Sequence, residues 1–175
     1  MKKIKVILGS TREPRNGIKV ADWVMDEVHK YKGDLEFELL DLKVIDLPHY
    51  NEPGSPMSNP SYKNELTIKW SKMIDEADGF IFITPEYNGY FTGAMKDAVD
   101  YLYHEWVGKP YGVVGYGSRG ARRAVSQLHN LLFQFKMVDV KSDVSVNKVW
   151  EAFTTNGSLK SGFVDGSVEE LLKKF

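Results

Sequence analysis

The apolar residues of this chain gather in runs of two alternating kinds, and that alternation restricts the fold more than any other feature. Short dense runs read as strands: residues 4–8, 35–40, 79–84, 111–116 and 138–146. Stretches with helical spacing lie between them. Ile18, Ala21, Val24, Met25 and Val28 mark one face, and Leu66, Trp70, Met73, Ile74 and Ala77 the next. Ala94, Met95, Ala98, Val99 and Leu102 form a third, Ala121, Ala124, Val125, Leu128, Leu132 and Phe135 a fourth, and Val168, Leu171 and Leu172 a last short one. Parallel strands need a crossover, usually a helix, so this interleaving predicts an α/β fold with a five-stranded parallel sheet covered on both faces. Phe80-Ile-Phe-Ile83 is apolar on both sides, as a central strand should be. Residues 35–42 alternate Leu35, Phe37 and Leu39 with Glu36 and Glu38, which suits an edge. The expected strand order is 2-1-3-4-5, with ligand sites at the carboxyl ends of strands one, three and four.

With 175 residues the chain reads as one domain over 1–175. Lys plus Arg total 23 against 24 Asp plus Glu, a balance that argues against a nucleic-acid partner, whose phosphates need a cationic excess. The absence of cysteine excludes disulfides, thiolate metal sites and a cysteine nucleophile. No apolar stretch approaches the ~18 residues of a membrane span, and the 4–8 run is too short for a signal-peptide core. A soluble, cytoplasmic protein with no membrane partner is expected. The irregular piece is 43–60, with Pro48, Pro53, Pro56 and Pro60 among the seven prolines. A stiffened loop of this length is usually functional or part of an interface, the alternative being a solvated connection.

Three strand-to-helix loops carry the chemistry. In the first, Gly9-Ser-Thr-Arg-Glu-Pro-Arg-Asn-Gly17, glycine permits a tight turn, Ser10 and Thr11 offer hydroxyls, and Arg12 and Arg15 offer cationic forks. Free N–H groups near Asn16, Gly17 and Ile18 point over the helix start, and the set suits a phosphate. It lacks the Gly-Lys-Ser/Thr ending of a P-loop. In the second, Thr84-Pro-Glu-Tyr-Asn-Gly-Tyr-Phe-Thr-Gly93, Pro85 sets the exit and Asn88-Gly89 bends through positive φ. Tyr87, Tyr90 and Phe91 add flat apolar surface beside backbone donors, which suits a planar heteroaromatic ligand. The third, Gly115-Tyr-Gly-Ser-Arg-Gly120, has the glycine spacing of a dinucleotide fingerprint, with Asp139 about 20 residues on. That fingerprint belongs to the first βα turn of its fold, whereas three βα units precede this one. It reads instead as another backbone-donor loop closing the same crevice.

Other candidates carry less. His29, His49, His104 and His129 have no metal-ligand spacing and read as surface or capping residues, so no metal site is expected. Ser10 and Ser118 lack the context of a nucleophile elbow. Asn156-Gly-Ser158 is a glycosylation sequon in form only.

Taken together, Gly9-Ser-Thr-Arg12, Thr84-Pro-Glu-Tyr-Asn88 followed by Lys96-Asp-Ala-Val-Asp-Tyr-Leu102, and Gly117-Ser-Arg-Gly120 resemble the NADPH-dependent FMN reductase family, over residues 3–135. That family includes quinone, azo-dye and chromate reductases. The resemblance implies a flavodoxin-like three-layer sandwich with bound FMN and NADPH or NADH as co-substrate. It places the FMN phosphate on Ser10, Arg12 and the amides of Asn16, Gly17 and Ile18. It places the ring on Pro85, Glu86, Tyr87 and Asn88, largely through backbone groups, and the third loop's contacts on Gly117, Ser118 and Gly120. Two positions depart from the family pattern: Arg15 stands where a serine is common, and Gly120-Ala121 where Gly-Gly is common. The resemblance further implies a homodimer or homotetramer with FMN at the subunit interface and the 43–60 loop as part of its wall.

By the same resemblance the reaction is ping-pong: nicotinamide gives hydride to the flavin, leaves, and a small-molecule acceptor takes the electrons. No side chain need act as acid or base, so no catalytic residue is assigned. An electron-carrier flavodoxin and a non-catalytic FMN-binding redox sensor are the alternatives. Near-neutral charge and Arg12 count against the carrier; the sensor shares every motif. Arg119, Arg122 and Arg123 could meet a 2′-phosphate or simply be solvated.

Overall fold

A computed structural model describes residues 1–58 and 61–175. Its frame is four parallel strands, β1 (Lys2–Leu8), β2 (Leu35–Asp41), β3 (Gly79–Pro85) and β4 (Pro110–Tyr116), in the order β2-β1-β3-β4. All seven residues of β3 are buried, as its two-faced apolar sequence requires. β2 is the edge, with Glu36 and Glu38 exposed, Leu35, Phe37 and Leu39 half-buried on the opposite face, and Leu40 buried at the inner end of the glutamate face. Glu38 accepts a hydrogen bond from Lys5, a buried lysine on the neighbouring strand.

The expected fifth strand is broken in two. β5 (Val138–Asp139) pairs with the start of β4, and β6 (Val144–Val146) with its end. Between them Lys141 adopts a left-handed φ of 57° and donates its amide to the Asp139 carboxylate at 2.7 Å. That side-chain turn competes with the ladder and loops the chain out. A further strand, β7 (Val164–Asp165), adds antiparallel to β6. The five-stranded parallel sheet expected from the sequence is therefore corrected to seven strands, β2-β1-β3-β4-β6-β7 with β5 beside β4. The flavodoxin-like layering stands.

Helices α1 (Gly17–Lys30) and α7 (Val168–Leu172) cover one face of the sheet. Helices α3 (Glu65–Asp75), α4 (Gly93–Asp100) and α5 (Arg122–Gln134) cover the other. The second core is aromatic: Trp106 packs edge-on against Phe80 and Trp70. Both buried indoles are satisfied, Trp70 Nε1 donating to the Ala98 carbonyl at 2.8 Å and Trp106 Nε1 to Val99 at 3.1 Å. On α1 the buried stripe is Val20, Ala21, Val24 and Val28, whereas Ile18 is exposed.

Two short helices, α2 (Leu42–Ile45) and α6 (Val149–Ala152), lie in connections. After α2 the proline-rich segment runs irregularly to Ser58; Pro60 lies outside the described residues. The segment is pinned by polar contacts. Asp97 accepts the Tyr50 amide at 3.1 Å, the Tyr101 hydroxyl donates to the His49 carbonyl at 3.1 Å, and Glu52 accepts the Lys63 and Asn64 amides at 3.0 Å. The carboxyl ends of β1, β3 and β4 meet at one rim, and the three loops stand there together.

Candidate cofactor site

Loop one, between β1 and α1, begins with Gly9, which a Cβ would drive to 2.7 Å from Met95 Cε. Thr92 ties this loop to α4: its hydroxyl donates to the Gly9 carbonyl at 2.6 Å and accepts the Met95 amide at 3.1 Å as a helix cap. Ser10 is buried. Asn16 is the first-turn boundary of α1, its side chain makes no capping hydrogen bond, and no acidic residue stands in the first turn. The opening amides of this 14-residue helix, at Gly17 and Ile18, are thus uncapped and electropositive.

Tyr116, the last residue of β4, reaches under that helix start. A Cβ on Gly17 would lie 2.3 Å from the Tyr116 hydroxyl oxygen and 3.0 Å from Ser10 Cβ, so the close approach requires glycine. Tyr116 is 4% exposed, and its hydroxyl, with Ser10 adjacent, completes no well-formed hydrogen bond among the described residues. Burial pushes that hydroxyl up to about 12, with adjacent Ser10, Arg15 and Arg12 drawing it back. Arg15 Nη2 is engaged by Asp41 at 2.8 Å, while its buried Nε has no acceptor. The arginine that replaces the family's serine is therefore anchored to the end of β2.

In loop two, Tyr87 and Tyr90 exchange backbone hydrogen bonds of 2.8 and 3.1 Å, closing a two-residue turn with Asn88 at φ 54° and Gly89 at φ 87°. Tyr87's own amide and carbonyl are consumed by this hairpin, so what it presents outward is its half-exposed ring, which the exposed Arg12 guanidinium overlies at 5.8 Å. Arg12 makes no ion pair among the described residues. Pro85 is buried, and its carbonyl accepts the Thr84 hydroxyl at 2.9 Å. The Glu86 carboxylate accepts the Arg123 amide at 3.1 Å, capping α5 and locking loop two to loop three.

Loop three is held from behind by the 147–149 segment. Gly117 donates to the Val146 carbonyl at 3.1 Å and accepts the Val149 amide at 3.2 Å, and the Ser118 carbonyl accepts the Lys148 amide at 3.3 Å. The nearest atom to a Gly117 Cβ is 3.9 Å away, so its outer side is open. Gly120 is buried at φ 65°, with a Cβ that would fall 2.5 Å from Ser145 Cβ; it serves the turn and packs on β6. Ala121 follows in the same left-handed region, at φ 55°.

Tyr116, Thr92, the pairing of Arg15 with Asp41 and the capping role of the Glu86 carboxylate were not read from the sequence. Of the arginines after β4, Arg122 is held by Asp165 at 2.9 Å. His129 departs from a surface role: its ring nitrogens meet the Tyr111 hydroxyl at 2.8 Å and Asp143 at 2.9 Å. No group of His, Asp and Glu able to hold a metal is found among the described residues, and no helix there is long and apolar enough to cross a membrane.

The rim therefore gathers an uncapped helix start, two hydroxyls and two guanidinium groups, and its carboxylates are already engaged, Asp41 by Arg15, Glu13 by Lys43 and Glu86 by the Arg123 amide. Donors in excess around a glycine cradle fit a phosphate monoester, and the open aromatic hairpin beside them fits a flat ring. Comparison with known proteins gives the family. The family model described as NADPH-dependent FMN reductase matches residues 2–151. This chain belongs to the NADPH-dependent FMN reductase family. The match extends past the 3–135 span of the sequence resemblance and takes in the 147–149 buttress of loop three. The chain is 40% identical to an NAD(P)H-dependent FMN reductase of Nectria sp, over 99% of this chain and 87% of the relative. It is 32% identical to a quinone reductase of Pseudomonas putida, over 71% and 67%. Among solved structures, the flavoenzyme NAD(P)H:(acceptor) oxidoreductase of Paracoccus denitrificans superposes with a TM-score of 0.71 at 29% identity, covering 91% of this chain and 86% of that one.

Proposed function

We propose that this chain is an FMN-dependent NAD(P)H oxidoreductase that passes electrons from NADPH or NADH to small-molecule acceptors such as quinones, azo compounds or free flavin. The observation that carries the reading is the donor-rich cluster at the uncapped start of α1, whose chemistry suits an anion. Ser10, Arg12 and the amides of Asn16, Gly17 and Ile18 would hold the FMN phosphate. Pro85, Glu86, Tyr87 and Asn88 would flank the ring on one side, and Gly117, Ser118 and Gly120 would shape the other. When bound, FMN supplies the hydride-accepting and electron-donating chemistry.

The chain's own part is binding and orientation. Thr92 and Glu86 fix the three loops relative to one another, so the backbone donors are placed before any ligand arrives. The Asn88 and Gly89 amides at the hairpin tip have no backbone partner, and they can meet negative charge on a ring edge. A wall built from backbone groups and the exposed rings of Tyr87 and Tyr90 sets few side-chain demands on the acceptor, which favours broad acceptor use. The reading includes one domain over 1–175 and a second copy of the chain against the groove of about 580 Å³ between residues 50–57, Tyr103 and Phe135. Light scattering would measure that assembly. It also places the protein in the cytoplasm.

A preparation supplied with FMN should be yellow and should bleach when NADPH is added. Arg12→Ala should bind FMN roughly 10- to 100-fold more weakly, since a charge-assisted phosphate contact is worth about 1.5–3 kcal/mol. Flavin retained equally by both proteins through dialysis would overturn the anchor.

A further inference from the structure

We infer that Tyr116 is a buried phosphate ligand, donating its hydroxyl proton to the FMN phosphate beside Gly17. This rests on the FMN reading above and deepens it. Three observations meet at this atom. The side chain is 4% exposed, yet its hydroxyl completes no well-formed hydrogen bond among the described residues, and a buried hydroxyl left unpaired is costly enough to call for an explanation. The hydroxyl oxygen lies where a Gly17 Cβ would need to be, against the uncapped first turn of a long helix. The groups beside it are rich in donors: the Ser10 hydroxyl, the Arg15 Nε, which has no acceptor among the described residues, and the Arg12 guanidinium, with the Tyr87 hydroxyl the one group that opposes its ionisation. Of these, Arg15 has one nitrogen committed to Asp41. An acceptor placed over Gly17 would answer the tyrosine, the arginine Nε and the helix amides together, and a phosphate oxygen is the acceptor that this family's cofactor brings.

The register explains how the tyrosine comes to be there. Tyr116 is paired with Pro85 at the end of the β3–β4 ladder, so its backbone is fixed by the sheet rather than by a loop. Its side chain then crosses beneath loop one on the α1 face, among the residues that pack with that helix. A donor mounted on a strand is held more tightly than one on a loop and keeps its position when the ligand leaves. Arg12 gives reach and charge from outside; Tyr116 gives a fixed neutral donor from inside.

The test compares FMN with riboflavin, which carries the same ring without the phosphate. The full-length protein, stripped of flavin, is titrated with each ligand by fluorescence quenching, as wild type and as Tyr116→Phe. The substitution removes one oxygen from a site with no partner for it, so the unliganded variant should unfold at the same or a higher urea concentration than wild type. FMN should bind about 10- to 100-fold more weakly to the variant, and riboflavin equally well. Equal FMN affinity in the two proteins would overturn the assignment. So would an equal loss for both ligands, which would mean that the hydroxyl serves the ring or the fold. Wild-type protein that binds neither ligand would instead sink the FMN reading itself, and this inference with it.

Discussion

Replacing Gly17 by alanine puts a single methyl group into the most crowded point of the site. Gly17 is not among the residues with positive φ, so backbone strain plays no part and the effect is purely steric. The new Cβ would stand 2.3 Å from the Tyr116 hydroxyl oxygen, 3.1 Å from its Cζ and 3.0 Å from Ser10 Cβ. The tyrosine cannot swing aside, because it is buried in the sheet face under α1. Overpacking of this kind costs about 1–3 kcal/mol, and the helix preference for alanine over glycine returns about 0.5–1 kcal/mol. A contact as short as 2.3 Å puts the cost in the upper half of its range, so the net loss should be about 1–2.5 kcal/mol, a fall in Tm of roughly 2–10 °C for a domain of this size. Gly17→Ala combined with Tyr116→Phe removes the worst contact and should recover most of the loss, with a coupling of about 1 kcal/mol. Thermal unfolding of the four proteins in the absence of flavin measures the cycle. A neutral single variant, or strictly additive effects, would refute the claim that the tyrosine hydroxyl occupies the space glycine leaves.

Two further outcomes follow from the same structure. Gly120→Ala should destabilise by about 2–4 kcal/mol, from left-handed strain plus the Ser145 clash, whereas Gly117→Ala, facing open space, should change urea stability by less than about 0.5 kcal/mol. Burial opposes a charge on His129, but the Asp143 hydrogen bond and the charges of Asp143 and Asp139 outweigh it and raise its pKa. The stabilisation is then complete below about pH 6.5, the unfolded value, and is lost as pH rises through the folded one. Urea midpoints of wild type and His129→Gln should therefore differ most near about pH 5.5 and converge toward about pH 9; a gap that widens with pH would contradict the pairing.

Local physics determined much of this protein. The two-faced apolar run at Phe80–Ile83 and the alternation from Leu35 to Leu39 were enough to place a central and an edge strand, because burial on one face or two writes itself into neighbouring residues. The Asn88-Gly89 turn was legible for the same reason: the positive φ is a property of those two residues. The three loops that form the rim, and the family they resemble, could be read from short contiguous motifs. What only the tertiary structure decided are pairings between residues far apart in the chain. Arg15 is claimed by Asp41 across 26 positions, and the Glu86 carboxylate caps a helix 37 positions away. The break of the fifth strand into β5 and β6 depends on whether a turn at Lys141 outcompetes the ladder beside β4, a contest no single segment records. Tyr116 is the extreme case: its sequence neighbours mark it as a buried strand end, and only the packing of β4 under α1 sets its hydroxyl against Gly17 with nothing to bond. Periodicity and turn chemistry act over a few residues, while the surroundings of a buried donor exist only after distant strands and helices have closed around it.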